Sequence, residues 1–323
     1  MKFATMRLFY RLLAMAGMLL AISPAYASGG PAEAAIPVTM TVTATVADGK
    51  RMPEIDRDDV VVKRGKERLR VINWVPAQGN RAGLDLFILI DDASDARLGS
   101  QLSDLRQFIN RQPATTAIGI GYARNGGVQM VQPFTTDHAQ AAGAVRMPLG
   151  NAGAYNSPYL SVIDLMNRWP ATQNRREVVM ITDGVDRAHR HTYPRRGLST
   201  NPDADTASAV AQRTGTIIHT IYTPGVGRWH RNYWRATNGQ LDMVRLSGKT
   251  GGESYYLGLQ MPVSFAPYLD SLQRVLNSQY LLSFNTTPGK KPGLQPVTLS
   301  TEVAGVRLAT YDAVWVPGQA ASE

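Results

Sequence analysis

The residues of this sequence best placed to do chemistry are carboxylates that end apolar runs. Asp91, Asp92 and Asp95 lie in FILIDDASDA, and Asp183 follows EVVMIT directly. Between them NAGAYNSP places Ser157 just ahead of a helical stretch. Carboxylates in such junctions can hydrogen-bond neighbouring backbone and cap the helix that follows. His189 and His191 form a His-x-His pair inside the basic segment DRAHRHTYPRR. Spacing supplies no third ligand for a transition metal, so a solvated loop is the simpler account. RWHRNYWR interleaves Trp229, Arg231, Tyr233 and Trp234 in a loop flanked by glycines. Those residue types anchor protein interfaces, although tryptophans there could equally seal a sheet edge. Glu54 to Asp59 alternates acids with Arg57 and reads as a charged turn, because no EF-hand spacing is present. Catalytic signatures are missing: there is no nucleophile elbow, phosphate-binding glycine loop or His-Glu-x-x-His.

The elements that must position these groups alternate. LDLFILID at 84–91 is almost continuously apolar, as expected of a strand buried on both faces of a parallel sheet. Leu98, Leu102, Leu105, Phe108 and Ile109 then recur at helical spacing. AIGIGYA, residues 128–131, EVVMIT and TIIHTIY read as further buried strands. Helices are expected over 158–169, 205–213 and 240–247, with a short strand at 254–257. The fold class is therefore α/β: a doubly wound, mostly parallel sheet covered on both faces. Ligands of such sheets sit at the carboxyl ends of the strands, where the three junctions fall. On the near side of this domain, VTMTVTATV alternates with period two, and DVVVK and LRVINWV are short apolar runs. On the far side a helix at 266–277 is followed by strands at 279–284, 295–302 and 306–316. The expected organisation is a signal peptide at 1–27, a flexible leader at 28–37, a β unit at 38–80, the α/β domain at 81–265 and a helix with strands at 266–323. The two β portions are expected to form one accessory β unit.

The leader sets the compartment. Lys2, Arg7 and Arg11 precede the apolar run LLAMAGMLLAI, and Ala25-Tyr26-Ala27 supplies a small-x-small cleavage site. A signal peptide over 1–27 is expected, with a secreted or periplasmic product and no membrane-spanning segment after cleavage. The run is shorter than the roughly 20 residues that a spanning helix needs. Net charge is +9, of which the expected signal peptide at 1–27 contributes three, leaving +6 for the mature chain. That excess suits envelope anions or acidic protein surfaces, and export argues against nucleic acid. The absence of cysteine excludes thiol catalysis, cysteine zinc sites and redox switching.

FILIDDASDA, NAGAYNSP and VVMITDGVD together resemble the von Willebrand factor A domain. SQYLLSF and the strand-rich lead VTMTVTATVADGK extend the similarity to a bacterial secreted subgroup with β segments on both flanks, over nearly the whole mature chain. The resemblance implies a metal-ion-dependent adhesion site, in which a first loop gives Asp-x-Ser-x-Ser, a second a threonine and a third an aspartate. Oxygen donors of that kind suit Mg²⁺ or another divalent cation, with one position left for a partner's carboxylate. Here the first loop departs from the pattern. A motif starting at Asp91 puts Ala93 and Asp95 at the serine positions, and one starting at Asp92 puts Ser94 and Ala96 there. Ser157 stands for the threonine, and Asp183 is kept. The metal set is thus Asp91, Asp95, Ser157 and Asp183, with Asp92 and Ser94 as the alternative register. The function implied is recognition of a protein partner through these loops, with Trp229, Arg231, Tyr233 and Trp234 as further contacts. Two alternatives stay open: an envelope-assembly protein with a vestigial metal site, and a metal-assisted hydrolase using Asp91 and Asp183.

Overall fold

The computed structural model describes residues 35–47, 51–151, 153, 155–188, 197–226 and 232–319. The segment 1–27, expected to be a signal peptide, and most of the leader lie outside the described residues. From Ala35 onward the chain forms one compact unit. Its first strand, β1 (Ile36–Val46), already includes the last two residues expected of the leader. It is followed by β2 (Val60–Arg64), β3 (Glu67–Leu69) and β4 (Val71–Pro76).

The α/β portion then runs in chain order through β5 (Leu84–Asp91), α1 (Leu102–Asn110), β6 (Thr116–Arg124), β7 (Gly127–Thr135) and α2 (His138–Gly143). Next come α3 (Pro158–Arg168), β8 (Arg175–Thr182), α4 (Pro202–Thr214), β9 (Thr216–Tyr222), α5 (Tyr233–Thr250) and β10 (Ser254–Tyr255). The chain closes through α6 (Ala266–Asn277), β11 (Gln279–Thr286), β12 (Gly293–Pro296), β13 (Thr298–Thr301), β14 (Val306–Ala309) and β15 (Ala313–Val316).

The central sheet has the order β10-β9-β8-β5-β6-β7, with every pair parallel except β6 and β7. All eight residues of β5 are buried, as its apolar run requires of a strand with neighbours on both sides. The chain leaves β5 toward β6 on one side and returns to β8 on the other. The switch in winding therefore falls between β5 and β8, where such sheets place their ligand sites. One face is covered by α1, α2 and α6, whose Leu102, Phe108, Ala141 and Leu272 share a core with Leu86, Ile88 and Ile120. The other is covered by α3, α4 and α5, with Tyr159, Leu165, Ala207 and Leu246 packed against Phe87, Leu89 and Met180. Phe87 explains two glycines in β6. A Cβ at Gly119 or Gly121 would come within 2.7 Å of its ring. The turn from β6 into β7 is Asn125-Gly126, both at positive φ (51° and 74°), which is the two-residue hairpin loop that this pair favours.

The β segments from the two ends meet. β1 pairs antiparallel with β11, from Ile36 opposite Thr286 to Thr43 opposite Gln279, and then with β14. The resulting sheet is ordered β14-β1-β11-β4, beside a β13-β2-β3 sheet and a β12-β15 pair. Met40, Val42, Val60, Val62, Phe284, Val314 and Val316 form their common core. Trp74 stacks on Tyr280 at 4.4 Å and donates its indole N–H to the Ile55 carbonyl.

Several sequence expectations are corrected. VTMTVTATV alternates, yet both faces are buried from Met40 to Ala44, because the threonine face is also covered and Gln279 donates to the Thr43 hydroxyl. Three runs that read as single strands, 69–75, 295–302 and 306–316, each break into two that join different pairings. A period-two pattern continues through such a corner, since pleat alternation says nothing about which partner a residue bonds. The helix expected at 240–247 instead starts at Tyr233, with Asn232 as its N-cap.

Candidate functional site

Asp91 ends β5 beside the switch point. Its Oδ1 accepts the Ala93 N–H (2.8 Å) and the Asn156 side-chain amide (3.0 Å), and its Oδ2 accepts the Thr182 hydroxyl (2.7 Å). Burial, followed among the causes that raise it by the neighbouring Asp183 carboxylate, pushes its pKa above the ordinary 3.8; Arg187 and the donated hydrogen bonds oppose this. Asp183, at the end of β8, accepts the Val185 N–H (2.9 Å). It also takes both terminal nitrogens of Arg187, with Nη1 at 3.1 Å from Oδ1 and Nη2 on Oδ2. This is the bidentate geometry of a strong guanidinium–carboxylate pair. Arg187 is held in turn, its Nη1 donating to the Val185 carbonyl and its backbone N–H to Asn156 (2.7 Å).

The remaining first-loop residues diverge. Asp92 faces away from Asp91 and forms a two-pronged pair with Arg146 (2.8 and 3.0 Å), whose guanidinium lies 3.6 Å above the Tyr122 ring. Ser94 is buried and its hydroxyl has no hydrogen-bond partner among the described atoms. Asp95 N-caps the following 3-10 turn through the Arg97 N–H (2.9 Å) and pairs with the Arg97 side chain. Ser157 N-caps α3, accepting the Leu160 N–H at 3.3 Å, with Pro158 in the first turn. The structure thus brings Asp91 and Asp183 together around Arg187, with Asn156 and Thr182 between them. Asp95 is turned toward Arg97, and Asp92 belongs to a separate ion pair.

A divalent cation does not fit this donor set. Mg²⁺ requires several free oxygens arranged about one point. Both oxygens of Asp91 are engaged by N–H and O–H donors, and Asp183 faces a guanidinium. No cluster of three or more His, Cys, Asp or Glu side chains suited to a metal occurs among the described residues.

His189, His191, Trp229 and Arg231 lie outside the described residues. Tyr233 and Trp234 belong to the first turn of α5, with Tyr233 exposed, and their rings contact edge to face at 5.5 Å. Sequence reasoning assigned no role to Arg146, Asn156, Thr182 or Arg187, and took Gly225 only as a glycine flanking the RWHRNYWR loop. The i,i+4 spacing of Asp183 and Arg187 was the one local signal, and nothing in the sequence announced Asn156 or Gly225.

A further buried polar pair sits within the sheet. His219 accepts the Glu253 N–H at Nδ1 (3.0 Å), so Nε2 carries the proton and donates to Glu177 (2.8 Å). Both side chains are fully buried, which makes the pair a structural link between β8 and β9.

No protein-family model and no curated protein matches the chain. Among solved structures, a von Willebrand factor type A protein from Catenulispora acidiphila is 10% identical over 89% of this chain and 74% of its own, with a TM-score of 0.46. The ArnB paralog VWA2 from Sulfolobus acidocaldarius is 8% identical over 88% of this chain and 76% of its own (TM-score 0.40). An aerotolerance-related membrane protein from Bacteroides fragilis is 11% identical over 60% of this chain and 99% of its own (TM-score 0.42). By its own strand order and its FILIDDASDA, NAGAYNSP and VVMITDGVD junctions, the chain is similar to the von Willebrand factor A family.

Proposed function

We propose that this chain is an exported binding module of the von Willebrand factor A type, which engages a protein partner through the carboxyl edge of its sheet and catalyses no reaction. The observation that carries this reading is the distribution of exposed apolar side chains. Met147 and Leu149 lie in the connection held to the edge by Arg146 and by the Leu149 N–H on Asp92. Tyr155 precedes the α3 cap, Leu198 the start of α4, Tyr233 opens α5 and Val263 precedes α6. These six are between 51% and 93% exposed and lie at the helix N-terminal, strand C-terminal end of the domain; among the described residues Leu257, which follows β10, is the one other large apolar side chain more than half exposed. Apolar exposure concentrated on one end marks an interaction surface rather than the scattered exposure of an ordinary surface. The positive leader followed by an apolar run and a small-x-small site supports export. Among the described residues no helix is long and apolar enough to cross a membrane.

Site-specific photocrosslinking in the native envelope tests the proposal. A crosslinker at Tyr155 or Tyr233 is expected to give one discrete protein adduct, and one at Ile72, exposed on the accessory β unit, none. Adducts from Ile72 alone would move the function to the β unit and favour envelope assembly. Absence of any adduct would leave the binding reading without support.

A further inference from the structure

We infer that Arg187 occupies the role of the metal ion in this protein: the adhesion site is a closed, arginine-neutralised carboxylate cluster that takes no divalent cation. Three observations converge. First, the guanidinium of Arg187 is paired with both oxygens of Asp183 and supplies positive charge to Asp91, the two carboxylates at the switch point. Second, in the register that starts at Asp91, the positions that would donate hydroxyl oxygen are lost or engaged. Ala93 has no hydroxyl, Asp95 is turned to Arg97, and the Ser157 hydroxyl caps α3.

Third, the cluster has a roof. The segment after β9 is stitched onto the first loop: the Asp95 N–H donates to Pro224 (3.0 Å), the Val226 N–H donates to Ala93 (2.9 Å), and Ser94 and Gly225 form an antiparallel bridge between them. Gly225 lies directly on the ion pair. A Cβ there would sit 2.1 Å from Asp183 Oδ2 and 2.5 Å from Arg187 Nη2. Asp91, Asp183 and Ser157 are accordingly at most 1% exposed. An open coordination position for a partner's carboxylate is what an adhesion metal needs, and here backbone fills it. A guanidinium paired with Asp183 from within the chain, its charge also felt by Asp91, offsets the charge imbalance that would draw a cation in. This inference rests on the cluster's own geometry and stands apart from the partner reading, so either can fail alone.

The test uses the mature full chain and Mn²⁺ alone, read by calorimetry and by thermal unfolding. Wild type is expected to show no saturable heat and no shift in Tm. Arg187→Met, which keeps the stem and removes the charge, is expected to gain a saturable one-to-one isotherm, with a Tm that rises as Mn²⁺ is added. If that variant is poorly folded without the ion, the same Tm rise must appear on titration. Saturable binding to wild type that Asp183→Asn abolishes would overturn the inference. So would an Arg187→Met protein that is indifferent to Mn²⁺, whether folded or not.

Discussion

At the scale of single residues, the cluster at the end of β5 and β8 is organised by charge compensation rather than by coordination. Arg146 answers Asp92 and Arg187 answers Asp183, each with two nitrogens on two oxygens. A buried carboxylate stranded without its partner costs several kcal/mol, so loss of either arginine is expected to destabilise the fold whatever the partner. Gly225 shows how tight the arrangement is. Its replacement by alanine forces a methyl group against the side-chain ends of Asp183 and Arg187, which their ion pair holds in place. Gly225→Ala is expected to lower unfolding stability by about 1–3 kcal/mol, the usual cost of overpacking. Urea denaturation with a shared slope would measure it, and an unchanged midpoint would show that the roof is looser than the distances imply. The aspartates were legible in the sequence as strand-ending acids. The partner of Asp92 was not, because Arg146 lies 54 positions away and its pairing arises only when the α2–α3 connection folds back over the edge.

At the scale of elements, the helix N-termini set the shape of the edge. Ser157, Asn201 and Asn232 cap α3, α4 and α5 with their own side chains, and proline follows the first two. Each capping oxygen satisfies a backbone N–H that would otherwise be orphaned at this end. Ser157 therefore has a structural duty that competes with any ligand role. Ser157→Ala is expected to cost about 1 kcal/mol of stability, in line with other lost N-caps. Its thermal unfolding curve should shift without any new ion dependence; a normal Tm would mean that the cap contributes nothing. The alternation of strand and helix was readable from apolar periodicity, and α3 begins where the sequence put it. The start of α5 was hidden because aromatic and arginine residues in RWHRNYWR suit a loop or a first turn equally well. Asn125-Gly126 is the opposite case: the hairpin pair stands openly in the sequence between two apolar runs, and it joins β6 to the antiparallel edge strand.

At the scale of the whole molecule, the chain closes on itself. β1 lies between β11 and β14, so the first described strand is held on both sides by the last part of the chain. The α/β domain is tied to that sheet by Arg175, at the start of β8. Its guanidinium is buried and donates to Ala82 (3.0 Å), Leu276 (3.4 Å) and the Gln279 side chain. Truncation before Gln279 is expected to abolish cooperative unfolding of residues 36–76, since β1 and β4 would lose the strand between them. Limited proteolysis should then cut within that region while fragments of 84–255 persist. A truncated chain that still protects residues 36–76 would show that β1 and β4 hold without their central strand. What sequence alone determined was the α/β class and the positions of the strand-ending carboxylates, because apolar run length and periodicity are local properties that burial on two faces imposes. Only the tertiary structure decided that these carboxylates meet arginines under a backbone roof, that three apparent strands turn corners, and that the two ends form one sheet. Those outcomes depend on contacts between residues far apart in the chain, and local pattern carries no record of them.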